Sequence, residues 1–355
     1  MISAKSFLST LLMNKPVIFK MRQRHQEDNR LSILVSINCI TYNHEKYIAQ
    51  AIESFLMQET DFEYEVLIHD DASTDRTASI IRDYACQYPD IIKPIYQTEN
   101  QYSKGLKVGT VYNLPRAQGK YIAFCEGDDY WIDPLKLQKQ INYMEEHPEC
   151  SMCAHAVKVV KNGNQAAVRF IKPYNETCAV PIEDIIVGGG GFIGINSVVY
   201  PKKCMDTPPD FYLRAPVGDV PLELYLATQG RVYYLHEVMS AYRIGVAGSW
   251  TSRVASSQEK QIEIRTAMIK MTDEFDRYTD YKYAETVELR QFENELLLLI
   301  AAGDVQALKQ DKYRKHREKL GLYIALLIYL NKYFPAIYNK LRIYKNFITS
   351  KIARQ

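Results

Sequence analysis

The chain has 355 residues, 47% of them hydrophobic and 24% charged, which is enough to bury one large α/β domain with an appendage, or two domains. With 16 Gly and 14 Pro, its composition excludes collagen-like, low-complexity and wholly disordered chains. A net charge of +2 conceals +4 over residues 1–30, −12 over 31–304 and +10 over 305–355.

This uneven charge indicates the class of partner. The acidic centre argues against a nucleic-acid groove, and the basic, apolar ends suggest an anionic surface such as a membrane leaflet. Residues 1–30 are predicted to be a basic N-terminal extension, and residues 1–13 lack the small-residue cleavage site of a signal peptide. Seven cysteines, an odd number in a chain above the size of disulfide-stapled domains, predict reduced thiols and a cytoplasmic protein.

Four apolar runs in the first half predict buried strands. Their starts lie about 30 residues apart, the period of a parallel sheet with crossover helices. The runs are Leu31–Ile40, Tyr64–His69, Ile91–Tyr96 and Tyr121–Cys125. A further strand is predicted over Cys150–Val160.

Helices are predicted between these strands. Asn43 is the expected N-cap of the first, which carries apolar residues at helical spacing from Ile48. Ser73 or Thr74 is expected to open the second. The third is expected to begin at Asp133, with Pro134 at its first position.

Residues 161–250 have a looser pattern. A strand is expected near Val198, and a helix from Asp219 that Gly230 ends. The four glycines Gly188–Gly191 are not spaced like a phosphate-binding loop, and they predict a flexible loop.

Residues 251–355 are predicted to form a helical, basic C-terminal region. Its longest apolar run, residues 320–330, is about half of the roughly 20 residues that span a bilayer. One helix face carries an apolar stripe that continues after Pro335: Leu322, Leu326, Tyr329, Tyr333, Ile337, then Tyr338, Leu341, Tyr344 and Ile348. The stripe predicts peripheral attachment to an anionic membrane at its inner face; packing within the protein or against a second subunit is the alternative.

Polar residues follow three of the predicted strands, in the runs Thr41–Glu45, Asp70–Asp75 and Glu126–Trp131. Ligands of open α/β sheets bind outside the carboxyl ends of the strands, so these residues are expected to share one crevice. The mutual repulsion of their carboxylates requires a cation or many donors. Hard oxygen ligands favour Mg²⁺ or Mn²⁺.

These residues resemble family 2 glycosyltransferases of the GT-A fold. The matching pieces, in chain order, are Val35–Asn43, Tyr47–Gln58 with Ser54 and Gln58, Asp70–Asp75, Gly119–Ile122 and Glu126–Asp129. The resemblance implies an α/β fold, Rossmann-like with a mostly parallel central sheet and flanking helices. It implies a glycosyltransferase domain over residues 31–250, with a nucleotide-sugar half (31–160) and an acceptor half (161–250).

The resemblance also implies a nucleotide-sugar site and roles within it. Thr41, Tyr42 and Asp70 are expected to hold the nucleoside of a donor, with a UDP-sugar expected. Asp128 is the implied last residue of the family's Asp-x-Asp motif and ligand of Mn²⁺ or Mg²⁺, and Glu126 occupies the first place. The full set of candidate contacts is Thr41, Tyr42, Glu45, Asp70, Asp71, Glu126, Asp128, Asp129 and Trp131.

In the acceptor half, the resemblance places a general base at the start of a helix. Asp219 fits, since a carboxylate can accept the proton of an attacking acceptor hydroxyl in an inverting displacement. Tyr242-Arg243, followed by Gly245, Gly248 and Trp250, resembles the loop that closes over the donor, without the histidine that relatives often carry there. The expected acceptor is a glycan or lipid-linked glycan.

Other interpretations remain open. Asp70–Asp75, Asp128-Asp129 and Asp219 could be strand-end turns and helix caps, and Trp131 could pack in the wall of the site. A nucleotidyltransferase and a non-catalytic binding protein are the alternative functions. The spacing of His147, Cys150, Cys153 and His155 suggests zinc, but opposite strand parity is expected to separate the two cysteines.

Overall fold

The computed structural model describes residues 32–161, 166–246, 249, 257–302, 304–334 and 337. The predicted basic extension and the Tyr338–Ile348 part of the apolar stripe lie outside the described residues. In the described part, ten strands form one mixed sheet with helices packed against it.

The first half alternates strands with helices. Its elements are β1 Ile33–Thr41, α1 Ile48–Leu56, β2 Glu63–Asp70, α2 Thr77–Gln87, β3 Ile92–Tyr96 and β4 Tyr121–Phe124. The strand order is β3-β2-β1-β4, with every pair parallel. The predicted parallel half with crossover helices is therefore confirmed. Thr41 pairs with Asp70 in register, so β1 and β2 end side by side.

The helices of this half begin later than predicted. α1 begins at Ile48, because Asn43 has φ +55 and its side-chain oxygen accepts the backbone N–H of Thr74, 2.8 Å away on the next loop. The expectation that Asn43 caps α1 is therefore wrong. Its amide instead ties the loop after β1 to the loop after β2.

The second and third helix starts were also misplaced. The Ser73 hydroxyl donates to Asp70, and α2 begins only at Thr77, whose backbone N–H donates to Asp75 Oδ1 at 2.9 Å. The third helix begins at Lys136, because Asp133 Oδ1 accepts from the backbone N–H of Leu135 in a turn before the helix. In each case the polar residue stabilises a turn instead of the helix end.

The second half extends the sheet with both antiparallel and parallel pairs. Its strands are β5 Tyr130–Trp131, β6 Cys150–Lys161, β7 Ala167–Ile171, β8 Cys178–Val180, β9 Val199–Pro201 and β10 Arg231–Ile244. The short β9 runs antiparallel to β4 and β6, and β10 runs parallel to β6. The strands predicted at Cys150 and near Val198 are confirmed, and β10 corrects the expected loop at Tyr242-Arg243, which lies inside the strand.

The described part contains seven further α-helices: α3 Lys136–Glu146, α4 Ile182–Gly188, α5 Asp210–Leu213, α6 Asp219–Gln229, α7 Gln258–Tyr278, α8 Ala284–Ala302 and α9 Arg314–Tyr333. The predicted helix from Asp219 to Gly230 is confirmed. Among described residues after 256 all regular structure is helical, as expected. None of the described helices is long and apolar enough to cross a membrane.

The core has two main apolar clusters. In one, α1 and α3 pack against the parallel strands through residues such as Ile52 and Leu137. In the other, Leu222 of α6 packs with Met271 and Phe275 of α7. Helix α7 therefore shares the core of the half that is predicted to bind the acceptor.

Two cysteines of the suggested zinc set lie in the first of these clusters. Cys150 and Cys153 are both buried there, which corrects the expectation that they face opposite sides of the sheet. His155 is buried, and its Nδ1 lies 2.9 Å from the carbonyl oxygen of Ala156. The packing of these side chains is that of core residues.

Candidate active site

The acidic loop after β4 is held from the far end of the sheet. The backbone N–H of Arg243, near the end of β10, donates to Asp129 Oδ1 at 2.8 Å. Its guanidinium donates to the backbone carbonyl of Asp128 and to Gln50 Oε1 on α1, and lies 4.4 Å from the ring centroid of Tyr130. Arg243 thus helps to orient Asp128 and Asp129, the two aspartates that the sequence resemblance implies for the donor site.

A histidine joins the ends of β1 and β4. His44 Nδ1 lies 3.1 Å from Thr41 Oγ1, and His44 Nε2 lies 3.9 Å from Asp128 Oδ2. Burial lowers the pKa of His44, although the negative charge of Asp128 opposes that shift. A neutral imidazole beside a carboxylate can accept a hydrogen bond or ligate a cation. His44 was not among the predicted site residues; its place between Thr41 and Glu45 at a strand end was the available signal.

Three carboxylates from two distant segments act on one another electrostatically. Burial, followed by the negative charges of Asp128 and Asp219, raises the pKa of Glu126 to about 8. Burial and the charge of Asp128 also raise the pKa of Asp129, whose Oδ2 has no hydrogen-bond partner among the described residues. The fold therefore brings the predicted base Asp219 close to the predicted Asp-x-Asp loop, and concentrates negative charge there.

Asp219 is the first residue of α6, and a partly buried lysine holds the segment before it. Lys107 Nζ donates to the carbonyl oxygens of Ala215 at 3.1 Å and Val217 at 2.7 Å. Burial lowers the pKa of Lys107 to about 8, while the charge of Asp219 opposes the shift. Burial raises the pKa of Asp219, which makes its carboxylate a stronger base than a solvated aspartate.

A second carboxylate lies one turn further along α6. Glu223 is buried, and neither of its carboxylate oxygens has a hydrogen-bond partner in the described part of the chain. Burial, together with the charge of Asp219, raises its pKa well above the ordinary value. The spacing of four residues on one helix was the only sequence signal for this pair.

The residues expected to hold the nucleoside lie at the ends of β1 and β2. Thr41 and Asp70 are buried side by side, whereas Tyr42 is 39% exposed and open to a ligand. The Ser73 hydroxyl donates to Asp70, and burial raises the pKa of Asp70. This arrangement leaves a polar strand edge with an exposed aromatic ring beside it.

Two residues that were predicted to contact the nucleotide sugar, Asp71 and Glu45, form hydrogen bonds within the protein. Asp71 accepts the backbone N–H groups of Gln101 at 2.8 Å and Tyr102 at 2.9 Å, and lies 3.2 Å from His69 Nε2. Glu45 Oε2 accepts the backbone N–H of Arg76 at 3.1 Å, which connects the loops after β1 and β2. Their observed contacts stabilise the loops that border the site.

Trp131 lies in the core. Its side chain is 1% exposed, its Nε1 donates to the carbonyl oxygen of Asn196 at 2.9 Å, and its ring packs edge-on against Phe55. The expectation that Trp131 contacts the nucleotide sugar is corrected, since a buried indole offers no face to a ligand. Its backbone N–H donates to Ser54 Oγ at 3.1 Å, which explains why a serine stands at that place on α1.

The oxygen and nitrogen atoms near Asp128 could ligate a divalent cation that also binds a substrate. Among the described residues, no three His, Cys, Asp or Glu side chains are placed to enclose an ion by themselves. Mg²⁺ sites at nucleotides, however, commonly use one or two carboxylates and complete their coordination with phosphate oxygens and water. Asp128, with His44 beside it and the unpaired oxygen of Asp129 on the next residue, offers such a partial set.

Comparison with protein families gives a match that extends from β1 to β8. Residues 36–197 match the family model described as glycosyl transferase family 2. The matched range contains the strand ends and the acidic loop described above, and it stops before α6.

Relatives extend the match. An uncharacterized protein of Mycobacterium tuberculosis is 38% identical over 222 residues, which is 61% of each chain, so the match spans less than two thirds of that relative's length. A glucosyltransferase of Escherichia coli, named as acting from UDP-Glc on α-D-GlcNAc-diphosphoundecaprenol, is 39% identical over 112 residues, 32% of this chain and 41% of the relative.

Two solved structures share the fold. S. aureus TarS (residues 1–349) in complex with UDP-GlcNAc aligns with a TM-score of 0.54 at 19% identity, over 89% of each chain. The mannosyltransferase PcManGT of Pyrobaculum calidifontis, in complex with GDP-Man and Mn²⁺, aligns with a TM-score of 0.55 at 16% identity, over 97% of this chain and 96% of the other. The expected GT-A fold is confirmed, and its sheet is mixed.

Proposed function

Since residues 36–197 match the family model of glycosyl transferase family 2, we propose that the protein is a glycosyltransferase that moves a sugar from a nucleotide-diphosphate sugar to an acceptor hydroxyl. The observation that supports this proposal is that the negative charges of Asp128 and Asp219 both raise the pKa of Glu126, so residues from the loop after β4 and from the start of α6 act on one another electrostatically. Sheets of this kind bind nucleotides at that edge. The carboxylates suit a reaction that must neutralise a leaving diphosphate and accept a proton.

The donor is proposed to lie across the ends of β1, β2 and β4. Thr41, Tyr42 and Asp70 would hold the nucleoside, and Asp128 would bind Mn²⁺ or Mg²⁺ together with the diphosphate. The bound ion would supply compensation for the charge that develops on the leaving group. A UDP-sugar is the proposed donor, and the UDP-Glc named for the Escherichia coli relative supports it.

Arg243 and His44 position the aspartates in this scheme. Arg243 holds the backbone of Asp128 and the carboxylate of Asp129, so the loop keeps its shape when a charged ligand arrives. His44 lies between Thr41 and Asp128, and thereby relates the nucleoside end of the site to its diphosphate end. Such prearranged polar groups need little reorganisation during the reaction.

Asp219 is the proposed general base. As the acceptor oxygen forms its bond to the anomeric carbon, the bond from that carbon to the diphosphate oxygen breaks, and the hydroxyl proton passes to Asp219. A single displacement of this kind inverts the anomeric configuration. The raised pKa of Asp219 supports the assignment, because a stronger base accepts the proton more readily near neutral pH.

The proposed acceptor is a glycan or a lipid-linked glycan, and the proposed location is the cytoplasm with peripheral attachment at the inner face of the membrane. The diphosphoundecaprenol-linked acceptor named for the Escherichia coli relative supports a lipid-linked acceptor. The +10 charge of residues 305–355 supports the proposed membrane attachment.

A panel of nucleotide sugars tests the function. With Mn²⁺ present, a UDP-sugar is expected to raise the unfolding temperature of the protein and to be slowly hydrolysed to UDP and free sugar. Release of pyrophosphate from a nucleoside triphosphate would instead indicate a nucleotidyltransferase. Binding without turnover, also in the presence of lipid-linked acceptors, would indicate a sugar-nucleotide binding protein.

A further inference from the structure

Helix α9 has one apolar face in the core and a second one outside. Ile324, Leu327 and Leu330 are buried in a cluster with Leu296 and Ile300 of α8. The inner face is therefore already satisfied by protein packing. The predicted alternative, in which the Leu322 stripe packs within the chain, is wrong for the described residues.

The outer face carries the apolar stripe predicted from the sequence. Leu322 is 91% exposed, and Leu326, Tyr329 and Tyr333 are each at least half exposed. These residues are spaced by four, three and four positions, so they point to the same side of the helix. Tyr329 and Tyr333 place their ring centroids 5.0 Å apart, which forms an exposed aromatic pair near the end of α9.

The charge of the same segment is one-sided. Cations near the start of α9 are partly compensated, as in the pairs Lys312–Glu295 and Lys315–Glu288. After Glu318, however, the sequence contains seven Lys or Arg residues and no Asp or Glu. An exposed apolar stripe in a segment whose sequence has a net positive charge complements a surface that is negatively charged outside and apolar inside.

We propose that the outer face of α9 docks on an anionic lipid surface. Leu322, Leu326, Tyr329 and Tyr333 enter the boundary between headgroups and acyl chains, and the net positive charge of the sequence after Glu318 favours an anionic surface. Each such cation is worth about 1 kcal/mol at an anionic surface. Tyrosine suits this boundary because its ring is apolar and its hydroxyl is polar.

A second copy of the chain is a poorer occupant. Pairing two outer faces would bring together two segments that each carry +10 over residues 305–355, without acidic residues after Glu318 to balance them. Like charges on both sides of an interface oppose association. The docking surface deepens the proposed function, because it identifies the part of the enzyme that would hold it beside a lipid-linked acceptor.

Vesicle sedimentation of the full chain tests the proposal. Wild type is expected to bind vesicles of phosphatidylcholine with phosphatidylglycerol, and to bind pure phosphatidylcholine at least tenfold less. The double variant Leu322→Gln/Leu326→Gln is expected to lose tenfold or more of its affinity for the anionic vesicles, since glutamine keeps helix propensity but not apolar area. Phe170→Gln, at a half-exposed aromatic residue on β7, is the matched control and should bind like wild type.

Three outcomes would overturn the proposal: no binding by wild type, equal binding by the double variant, or equal binding to both vesicle types. A dimer of wild type that becomes monomeric in the double variant would identify a second copy as the occupant. Donor hydrolysis without vesicles should be the same in wild type and the double variant. Vesicle binding by a protein that hydrolyses no nucleotide sugar would contradict the proposed function and leave the docking surface intact.

Discussion

Arg243 and Asp129 are 114 positions apart in the sequence, yet the backbone N–H of the first donates to a carboxylate oxygen of the second at 2.8 Å. This bond connects the end of β10 to the loop after β4. Because the guanidinium of Arg243 also contacts the Asp128 carbonyl and Gln50, one residue fixes the acidic loop on two sides. The shape of the proposed donor site thus depends on a strand that follows it by a hundred residues.

Replacing Arg243 by lysine tests this dependence. Lysine keeps the charge but cannot reach two acceptors with a planar fork, so donor turnover is expected to fall about tenfold or more with a higher KM for the donor. Steady-state kinetics with a UDP-sugar measure the effect. Arg231→Lys, at the exposed start of β10, is the control and should leave both constants unchanged. Wild-type kinetics in Arg243→Lys would show that the charge alone suffices.

Asp219→Asn tests the proposed base. The transfer rate is expected to fall about 10²-fold or more, with donor affinity near wild type, because the amide cannot accept the proton. Asn serves a helix start as well as Asp does, so the fold should be preserved. Asp210→Asn, at the start of α5, changes an exposed aspartate in the same helix position and should transfer normally. Normal transfer by Asp219→Asn would reduce Asp219 to a helix-start residue.

The same assignment predicts a pH profile. Activity should decline as the pH falls through the raised pKa of Asp219, since the protonated carboxyl cannot act as a base. The decline should therefore occur at a higher pH than the ordinary aspartate value. A rate profile for saturating donor and acceptor measures it, and an acid limb at the ordinary value would argue for a solvated base.

The side chain of Arg290, on α8, leaves no room for a side chain at Gly189. Gly189 has φ +57, and an added Cβ would lie 2.1 Å from Nη2 of Arg290. Gly189→Ala is therefore expected to destabilise the protein by more than the roughly 1–3 kcal/mol of backbone strain alone. Gly191→Ala, with φ +83 and no atom within 4 Å of the new Cβ, isolates the strain.

Urea unfolding of both variants measures the difference. In Gly189→Ala/Arg290→Ala the new Cβ no longer clashes with the Arg290 side chain. The double variant should therefore recover the share of the unfolding free energy that the clash costs, and the two changes should be non-additive. Equal unfolding free energies for Gly189→Ala and Gly191→Ala would show that Arg290 moves aside without cost.

Lys136 is a buried cation without a hydrogen-bond partner among the described residues. Its Nζ lies 3.8 Å from the ring centroid of Trp131, and the titratable groups near it are Cys125, Cys153 and His155. Burial lowers the pKa of Lys136 from 10.5 to about 7. Between these values the unfolded chain binds more protons than the folded one, so stability rises with pH.

Lys136→Met removes that dependence. The unfolding free energy of wild type is expected to rise relative to the variant from about pH 7 to pH 10, by up to about 1.4 kcal/mol per pH unit. Urea unfolding at several pH values measures the gap. Lys93→Met, at a lysine whose ammonium donates to a surface carbonyl, should follow wild type in parallel. A constant gap for Lys136→Met would mean that Lys136 stays charged in the fold.

The parallel half of the fold was predictable because its strands appear as continuous apolar runs, and most residues of β1, β2 and β4 are buried. The starts of α1 and α2 were not, because Asn43 and the Ser73-Thr74 pair bond to each other across two loops: the Asn43 side chain accepts from Thr74, and the Asn43 backbone N–H donates to Ser73 Oγ. β10 was missed for a related reason: bulges at Leu235/Val238 and Val238/Ser240 interrupt its alternation. Local patterns do not contain these long-range pairings.

The candidate site was predictable in composition but not in arrangement. The acids of the Glu126–Asp129 loop were identified by their position after a predicted strand, and Asp219 by the resemblance to the family. Their mutual charge effect, the place of His44 between Thr41 and Asp128, and the burial of Trp131 depend on tertiary packing. Nothing in the spacing distinguishes a tryptophan that lines a site from one that supports its wall.

The most direct measurement is release of UDP from a UDP-sugar by wild type and Asp128→Asn, titrated with Mn²⁺ and repeated with chelator. The account predicts that UDP release by wild type depends on the metal and is abolished by chelator. Asp128→Asn is expected to lose most of the rate of release, while its unfolding temperature stays near that of wild type. Undiminished release in metal-free buffer, or by Asp128→Asn, would contradict it.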